Sequence, residues 1–166
     1  MGKELFTHVA EHQARAVLIS LLLPFWFKKR WNKQSIPRVT YTDPEVASIG
    51  LSEKEARHRY CSLAVYHVLF PSLDRAITAG RTEGFVKIIT KKWSSNILGA
   101  TIVGERAGEM IMQLSTAIYW KIPLRKLASL IYPYPGYSLS VRQTADLWLK
   151  ETVVPTILKW FRRKEV

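Results

Sequence analysis

Cysteine is nearly absent from this chain, and its scarcity excludes several kinds of chemistry. Cys61 is the single cysteine among 166 residues, so the chain can form no internal disulfide, no CxxC redox pair and no cysteine-based zinc cluster. The four histidines, His8, His12, His58 and His67, are scattered along the sequence. Only the first two share a helical spacing, and Val9, not the glutamate of the zinc-protease order His-Glu-x-x-His, directly follows His8. We therefore expect no metal site.

Glycine-rich phosphate-binding patterns and long apolar runs are missing as well. The eight glycines form no Gly-x-Gly-x-x-Gly motif and no phosphate loop, so this chain has no dinucleotide-binding unit of its own. The apolar run 16–27 is interrupted by Pro24 and is shorter than the ~20 residues that span a bilayer. It also lacks the basic n-region of a secretory signal. These absences favour an intracellular, cytoplasmic protein.

Positive charge, by contrast, is abundant. Lys and Arg number 25 against 13 Asp and Glu, a formal net charge of +12. Such an excess favours an anionic partner, which could be nucleic acid, phospholipid or a nucleotide cofactor. Cations alternate with aromatic residues in the segments 25–33 and 159–164. Solvated termini are the favoured interpretation of these segments, an anionic membrane surface is the second, and nucleic acid is the third.

Hydrophobic periodicity predicts helices at both ends of the chain and strands between them. Thr7 is the expected N-cap of a first helix that Pro24 ends, and Ser52 with Glu55 has the spacing of a capping box. This order is typical of an α+β domain with an antiparallel sheet. The predicted strands are 36–41, 63–70, 84–90 and 97–103. The predicted helices are 7–23, 52–60, 107–119, 123–130, 138–151 and 152–164, and the segment 71–82 is expected to be a loop or a broken helical turn.

Several motifs, in order, resemble one known module. The stretch IPRVTYTDPEVASIGLS at 36–52 is the longest. It is followed by DRAI at 74–77, TEGFVK at 82–87, ILGATIVG at 97–104 and AGEMI at 107–111. Together they resemble the C-terminal dimerisation domain of the pyridine nucleotide-disulfide oxidoreductases. This flavoprotein family includes dihydrolipoyl dehydrogenase, glutathione reductase, mercuric reductase and soluble transhydrogenase. The motifs of this chain most resemble those of the mercuric-reductase-like branch.

The resemblance implies an architecture and a set of partners. It implies an α+β fold in which an antiparallel β-sheet of about four strands is flanked by helices, and a two-fold homodimer. Residues 1–35 would be the terminal helix of an FAD-binding domain plus a basic linker, 36–150 the dimerisation domain, and 151–166 a basic C-terminal helix. FAD and NAD(P)H are implied for a parent oxidoreductase that acts in redox homeostasis. This chain looks like a C-terminal piece of that parent, so by itself it is expected to bind no cofactor and to catalyse nothing.

The resemblance also implies site residues. Residues 6–14 resemble the helix that ends the FAD-binding part, so Thr7 and His8 are the expected flavin contacts in an intact parent. In the loop 132–139, Tyr134 stands at the family's acid/base His position and Leu139 at its Glu position. A tyrosine with an ordinary pKa of about 10 is a poor base at neutral pH, and leucine cannot orient it. Tyr134 is therefore interpreted either as a contact across the dimer or as a packing residue, and thiol–disulfide exchange is not carried over.

Dimer contacts are expected from the helix 107–119 and the segment 132–148. Homodimer interfaces are apolar and rich in aromatic residues, and the candidates are Met110, Leu114, Tyr134, Tyr137 and Trp148. A monomer core would use the same residue types, so composition leaves both roles open. The alternative function is a stand-alone binding module, membrane-surface or regulatory, that reuses the same fold.

Overall fold

An antiparallel five-stranded sheet in the order β1-β2-β5-β4-β3 forms the centre of the molecule. The computed structural model describes residues 6–23 and 33–162. The strands are β1 (Arg38–Thr40), β2 (Val46–Gly50), β3 (Leu63–Leu69), β4 (Phe85–Lys91) and β5 (Ile97–Val103). The helices are α1 (Thr7–Leu22), α2 (Glu53–Arg59), α3 (Asp74–Thr78), α4 (Ala107–Tyr119), α5 (Leu124–Leu127), α6 (Leu139–Trp148) and α7 (Val154–Arg162). Short 3₁₀ turns occupy Lys33–Ser35 and Phe70–Ser72, and a π turn, Leu149–Val153, joins α6 to α7.

The main core lies between one face of the sheet and the helices α4 and α6. Alternate strand residues point to this face, as the two-residue period of a strand requires. The buried strand side chains are Ala47, Ile49, Tyr66, Val68, Val86, Ile88, Ala100 and Ile102. Helix α4 packs on β2 and β5, and α6 packs on β3 and β4. Burying this apolar face is the main stabilising contribution in the domain.

Helix α2 covers one end of the opposite face. Its Ala56 packs with Leu51 and Ile89 in a second, smaller cluster. The predicted capping box is confirmed: Glu55 N–H donates to Ser52 Oγ (3.3 Å), and Ser52 N–H donates to Glu55 Oε2 (2.9 Å). Both bonds use backbone N–H groups that would otherwise lack partners at the helix end.

The α+β class and the antiparallel sheet are confirmed, but the expected number of about four strands is wrong by one. Periodicity missed β2, because Val46–Gly50 is short and mixes small and polar residues that have little strand preference. Its pairing with β5 depends on close backbone approach, since a Cβ placed on Gly99 would lie 2.0 Å from Leu51 O. Glycine at position 99 is therefore a requirement of the tertiary structure.

The start of α1 differs from the prediction, and the structure resolves the alternatives left open for the segment 71–82. Thr7 is not the N-cap of α1: Phe6 takes that position and makes no side-chain capping bond. The segment 71–82, expected to be a loop or a broken helical turn, contains the short helix α3. The basic segment 25–33 lies almost wholly outside the described residues, and the side chains from 159 onward do as well. The proposed division at residues 35 and 150 stays a prediction.

A buried hydrogen bond fastens the π turn to the sheet. The Tyr66 hydroxyl lies 3.0 Å from Thr152 Oγ1, and both residues are buried. Burial raises the pKa of Tyr66 above its ordinary value, because the charged phenolate would lose its hydration. Tyr66 therefore stays protonated at pH values at which the same side chain ionises in an unfolded chain.

We predict that Tyr66→Phe lowers the free energy of unfolding by about 1–3 kcal/mol, because it leaves the Thr152 hydroxyl buried without this partner. The raised pKa also gives a pH dependence. Stability should fall as pH rises above about 10, where the unfolded chain releases the proton first, and the variant should lose less over that range. Urea denaturation at several pH values measures both effects. Tyr119→Phe, which changes an exposed tyrosine at the end of α4, should change stability little.

Candidate functional site

The loop 130–136 projects from the sheet domain between two well-anchored elements. Before it, α5 buries Leu124 and Leu127, and Leu124 N–H donates to Ser95 O at 2.8 Å. After it, α6 buries Val141 and Ala145 in the main core. Anchoring at both ends restricts the loop, so the side chains at its tip are held outward.

The tip of this loop is apolar and exposed. Ile131 is fully exposed at 101%, Tyr134 is 70% exposed, and Leu130 is 50% exposed. The Tyr134-Pro135 peptide is cis. A fully exposed isoleucine is unfavourable in water unless another surface covers it. The loop therefore has the character of a contact surface.

Three tyrosine hydroxyls fasten the loop to three different elements. Tyr134 donates to Asp74 Oδ2 at 2.7 Å, at the start of α3. Tyr137 donates to Glu105 Oε2 at 2.7 Å, and its ring packs 5.5 Å from that of Phe70. The Tyr132 hydroxyl accepts a hydrogen bond from the Gln113 amide on α4. The three bonds are made to α3, to the β5–α4 connection and to α4.

Two of these tyrosines are bonded to carboxylates, and the pKa of each is raised above its ordinary value. The hydrogen bond to Asp74 and the charge of its carboxylate raise the pKa of Tyr134 above the ordinary value. Burial is the larger cause of the raised pKa of Tyr137, and the hydrogen bond to Glu105 adds to it. A raised pKa keeps the proton on the phenol at neutral pH. Tyr134 therefore keeps its one O–H on Asp74 and cannot act as a general base there. Towards a partner its oxygen can accept a hydrogen bond.

Asp74 is the residue that reasoning from the sequence missed. The position expected to orient residue 134 is 139, and Leu139 stands there half-buried as the first residue of α6. The structure instead supplies a carboxylate from α3, 60 positions away in sequence. No local pattern could have indicated this pairing, because it arises only when α3 and the loop meet in the tertiary structure.

Thr7 and His8 lie at a second place, the start of α1. Both are exposed, and His8 Nε2 is 3.1 Å from Pro37 O, so the ring nitrogen donates to this carbonyl. A groove of about 750 Å³ separates this helix end from α4, and its lining includes Phe6, His12, Met112 and Trp120. The first N–H groups of a helix have no partner within it, so the start of α1 can donate hydrogen bonds to a ligand edge.

Four of the five expected dimer contacts are core residues of the single chain. Met110, Leu114 and Trp148 are buried because α4 and α6 turn their apolar sides onto the sheet, and Tyr137 is buried against Phe70. Tyr134 alone among the five is exposed. The exposed aromatic and sulfur-containing side chains of the α4 region are Met112, Tyr119 and Trp120. The part played by the buried four in a dimer stays a prediction.

Within residues 6–23 and 33–162, no group of three or more His, Cys, Asp and Glu side chains is arranged to hold a metal ion. Cys61 is exposed and free. The candidate site is thus made of aromatic hydroxyls and carboxylates, which can position a partner by hydrogen bonds.

This chain is similar to known proteins in both sequence and fold. The family model described as the pyridine nucleotide-disulphide oxidoreductase dimerisation domain matches residues 36–145. Dihydrolipoyl dehydrogenase of Buchnera aphidicola subsp. Baizongia pistaciae is 32% identical over 89% of this chain and 30% of its own length. Its counterpart in Chlamydia muridarum is 31% identical over 92% of this chain and 31% of its own length. This chain therefore spans less than a third of these curated relatives.

Solved structures share the fold. LpdA from Mycobacterium tuberculosis superimposes with a TM-score of 0.81 at 22% identity, over 88% of this chain and 31% of its own. The HOCl-induced flavoprotein disulfide reductase RclA from Escherichia coli superimposes with a TM-score of 0.79 at 24% identity. The superposition covers 88% of this chain and 33% of RclA. These similarities bear out the α+β architecture. The expected similarity of the sequence motifs to the mercuric-reductase-like branch of the family stays a prediction.

We predict that Asp74→Asn lowers the pKa of Tyr134, because it removes the charge that holds the proton on the phenol. NMR of tyrosine labelled at the ring carbon that bears the hydroxyl, followed over pH, measures this pKa, and Tyr134→Phe assigns the signal. Asp43→Asn is the control, since Asp43 pairs with Arg81, and it should leave Tyr134 unchanged. An unaltered Tyr134 titration in the Asp74 variant would contradict the bond.

Proposed function

Since this chain belongs, through residues 36–145, to the dimerisation-domain family of the pyridine nucleotide-disulphide oxidoreductases, we propose that it holds two copies of an FAD-dependent, NAD(P)H-linked oxidoreductase together. The homodimer would be two-fold symmetric, so the same surface of each copy meets its twin. The parent enzyme would act in the cytoplasm in redox homeostasis. This chain by itself supplies no catalysis in the proposal.

The observation that carries the proposal is the exposed apolar tip of the loop 130–136. Its side chains Leu130, Ile131 and Tyr134 project into solvent, although three tyrosine hydroxyls fasten the segment. A restricted loop loses little conformational entropy when it binds, which favours its use as a contact. Covering these side chains with a second copy removes apolar surface from water.

The same loop would close the active site of the partner subunit. Tyr134 would reach it as a protonated phenol, since Asp74 raises its pKa. Because its O–H is donated to Asp74, its role would be to accept a hydrogen bond or to exclude water, and the thiol acid/base role of a histidine is not available to it. Leu139 adds no titratable group. The loop therefore suits a closing and positioning function.

The remaining parts of a flavin site would come from the FAD-binding and NAD-binding domains of the parent. In this chain the start of α1 fits one edge of a flavin, because its first N–H groups lack helical partners and Phe6 provides no side-chain cap. Thr7 and His8 would supply those donors. Bound FAD would provide the electron transfer between NAD(P)H and the substrate.

We predict a dimer in solution that Ile131→Asp weakens at least tenfold, because the charge would be buried against the twin. Sedimentation velocity over a range of concentrations measures the dissociation constant. Ile131 is fully exposed in the single chain, so the substitution should leave its fold intact, and circular dichroism checks this.

The matched control for this test is Ile157→Asp, which adds the same charge at another exposed isoleucine, on α7. It should dimerise like the unchanged chain. A monomer at all concentrations, or equal weakening by both variants, would refute the assignment of the dimer contact to this loop.

We also predict that the purified chain is colourless and neither retains added FAD nor oxidises NADH or NADPH. The reason is that its eight glycines form no dinucleotide-binding motif. Equilibrium dialysis against FAD and the absorbance of reduced nicotinamide measure the two properties. Stoichiometric flavin binding by this chain would contradict the proposal that FAD is bound mainly by the other domains of the parent.

A further inference from the structure

Helix α7 is amphipathic, and its apolar side has no partner within the described part of the chain. Every described side chain from Val154 to Leu158 is exposed. Three of them are aliphatic, namely Val154 at 43%, Ile157 at 48% and Leu158 at 54%. Their spacing of three and four residues places them on one side of a helix. A helix that merely extended into solvent would not need an aliphatic stripe.

The base of α7 is fixed, so this stripe has a defined place on the molecule. Trp148 Nε1 donates to Lys92 O at 2.9 Å, and Thr152 is held by Tyr66. Thr156 Oγ1 donates to Thr152 O at 2.7 Å, which ties the first turn of α7 to the π turn. The helix thus begins at the main core and carries its apolar side away from it.

The charge of this end of the chain is strongly positive. Between Trp148 and the last residue, five cations (Lys150, Lys159, Arg162, Arg163 and Lys164) outnumber two carboxylates (Glu151 and Glu165). The sequence also places Trp160 and Phe161 among the cations. Aliphatic and aromatic residues that alternate with Lys and Arg over a short stretch of sequence are typical of segments that lie in the interface of an anionic bilayer.

We propose that α7 is a membrane-surface helix that attaches this module to anionic phospholipid. The apolar side, Val154, Ile157 and Leu158, enters the headgroup region, and the cations meet the lipid phosphates. A second copy of α7 is a poor occupant of this surface, because it would bring like charges together. Spanning is not part of the proposal: no described helix is long and apolar enough to cross a bilayer, and α7 has nine residues.

Vesicle flotation of the full chain tests this proposal. Vesicles of phosphatidylcholine alone are compared with vesicles of phosphatidylcholine and phosphatidylglycerol at roughly three to one. The chain should float with the anionic vesicles and be released in part by salt, because salt screens the contribution of the cations. Ile157→Ser/Leu158→Ser should weaken this binding about tenfold or more, since both side chains lose their apolar surface.

Two control variants make the outcome decisive. Leu21→Ser/Leu22→Ser removes a comparable exposed pair from α1 and should leave flotation unchanged, and so should Ile131→Asp. Loss of flotation in the α1 variant but not in the α7 variant would overturn the proposal, as would equal binding to neutral vesicles or none to either. Capture of a protein partner by an α7 that binds no vesicles would also overturn it. Ile131→Asp is the variant common to both tests: it should weaken the dimer but not flotation, so failure here is distinguishable from failure of the proposed function.

Discussion

Burial of one sheet face beneath α4 and α6 is the constraint on which the rest of this structure depends. It turns Met110, Leu114 and Trp148 inward, so residues that would suit a dimer interface become the core of one chain. It also anchors α6 directly after the loop 130–136. The exposed tip of that loop is a consequence, because α5 before it and α6 after it both bury side chains in the core.

The loop itself is held by side-chain hydroxyls. Tyr132, Tyr134 and Tyr137 each bond to a different element, and two of the partners are carboxylates. The carboxylates have two effects: they position the phenols and they keep them protonated. A loop built in this way can present a phenol oxygen that accepts a hydrogen bond and an apolar surface to a second subunit, which suits the proposed closing of a site.

The two terminal helices have a different relation to the core. Val9 is the one buried side chain of α1, and α7 exposes every described side chain beyond Val153. Both helices therefore have apolar surface available for contacts outside the sheet domain. We propose that α1 belongs to the flavin-binding part of a longer chain and that α7 meets a lipid surface, because the sequence places a cluster of cations within and directly after α7.

The sequence by itself determined the class of fold, the capping box at Ser52 and Glu55, the helix α4 and the hairpin of β4 and β5, since these depend on local periodicity and short-range bonds. It also carried the family resemblance. Only the tertiary structure decided that β2 forms, because its pairing needs the close approach at Gly99. Likewise, only packing could bring Asp74 to Tyr134 and bury Leu114 and Trp148, since those contacts join residues far apart in the chain, and their free energy comes from surfaces that meet after folding.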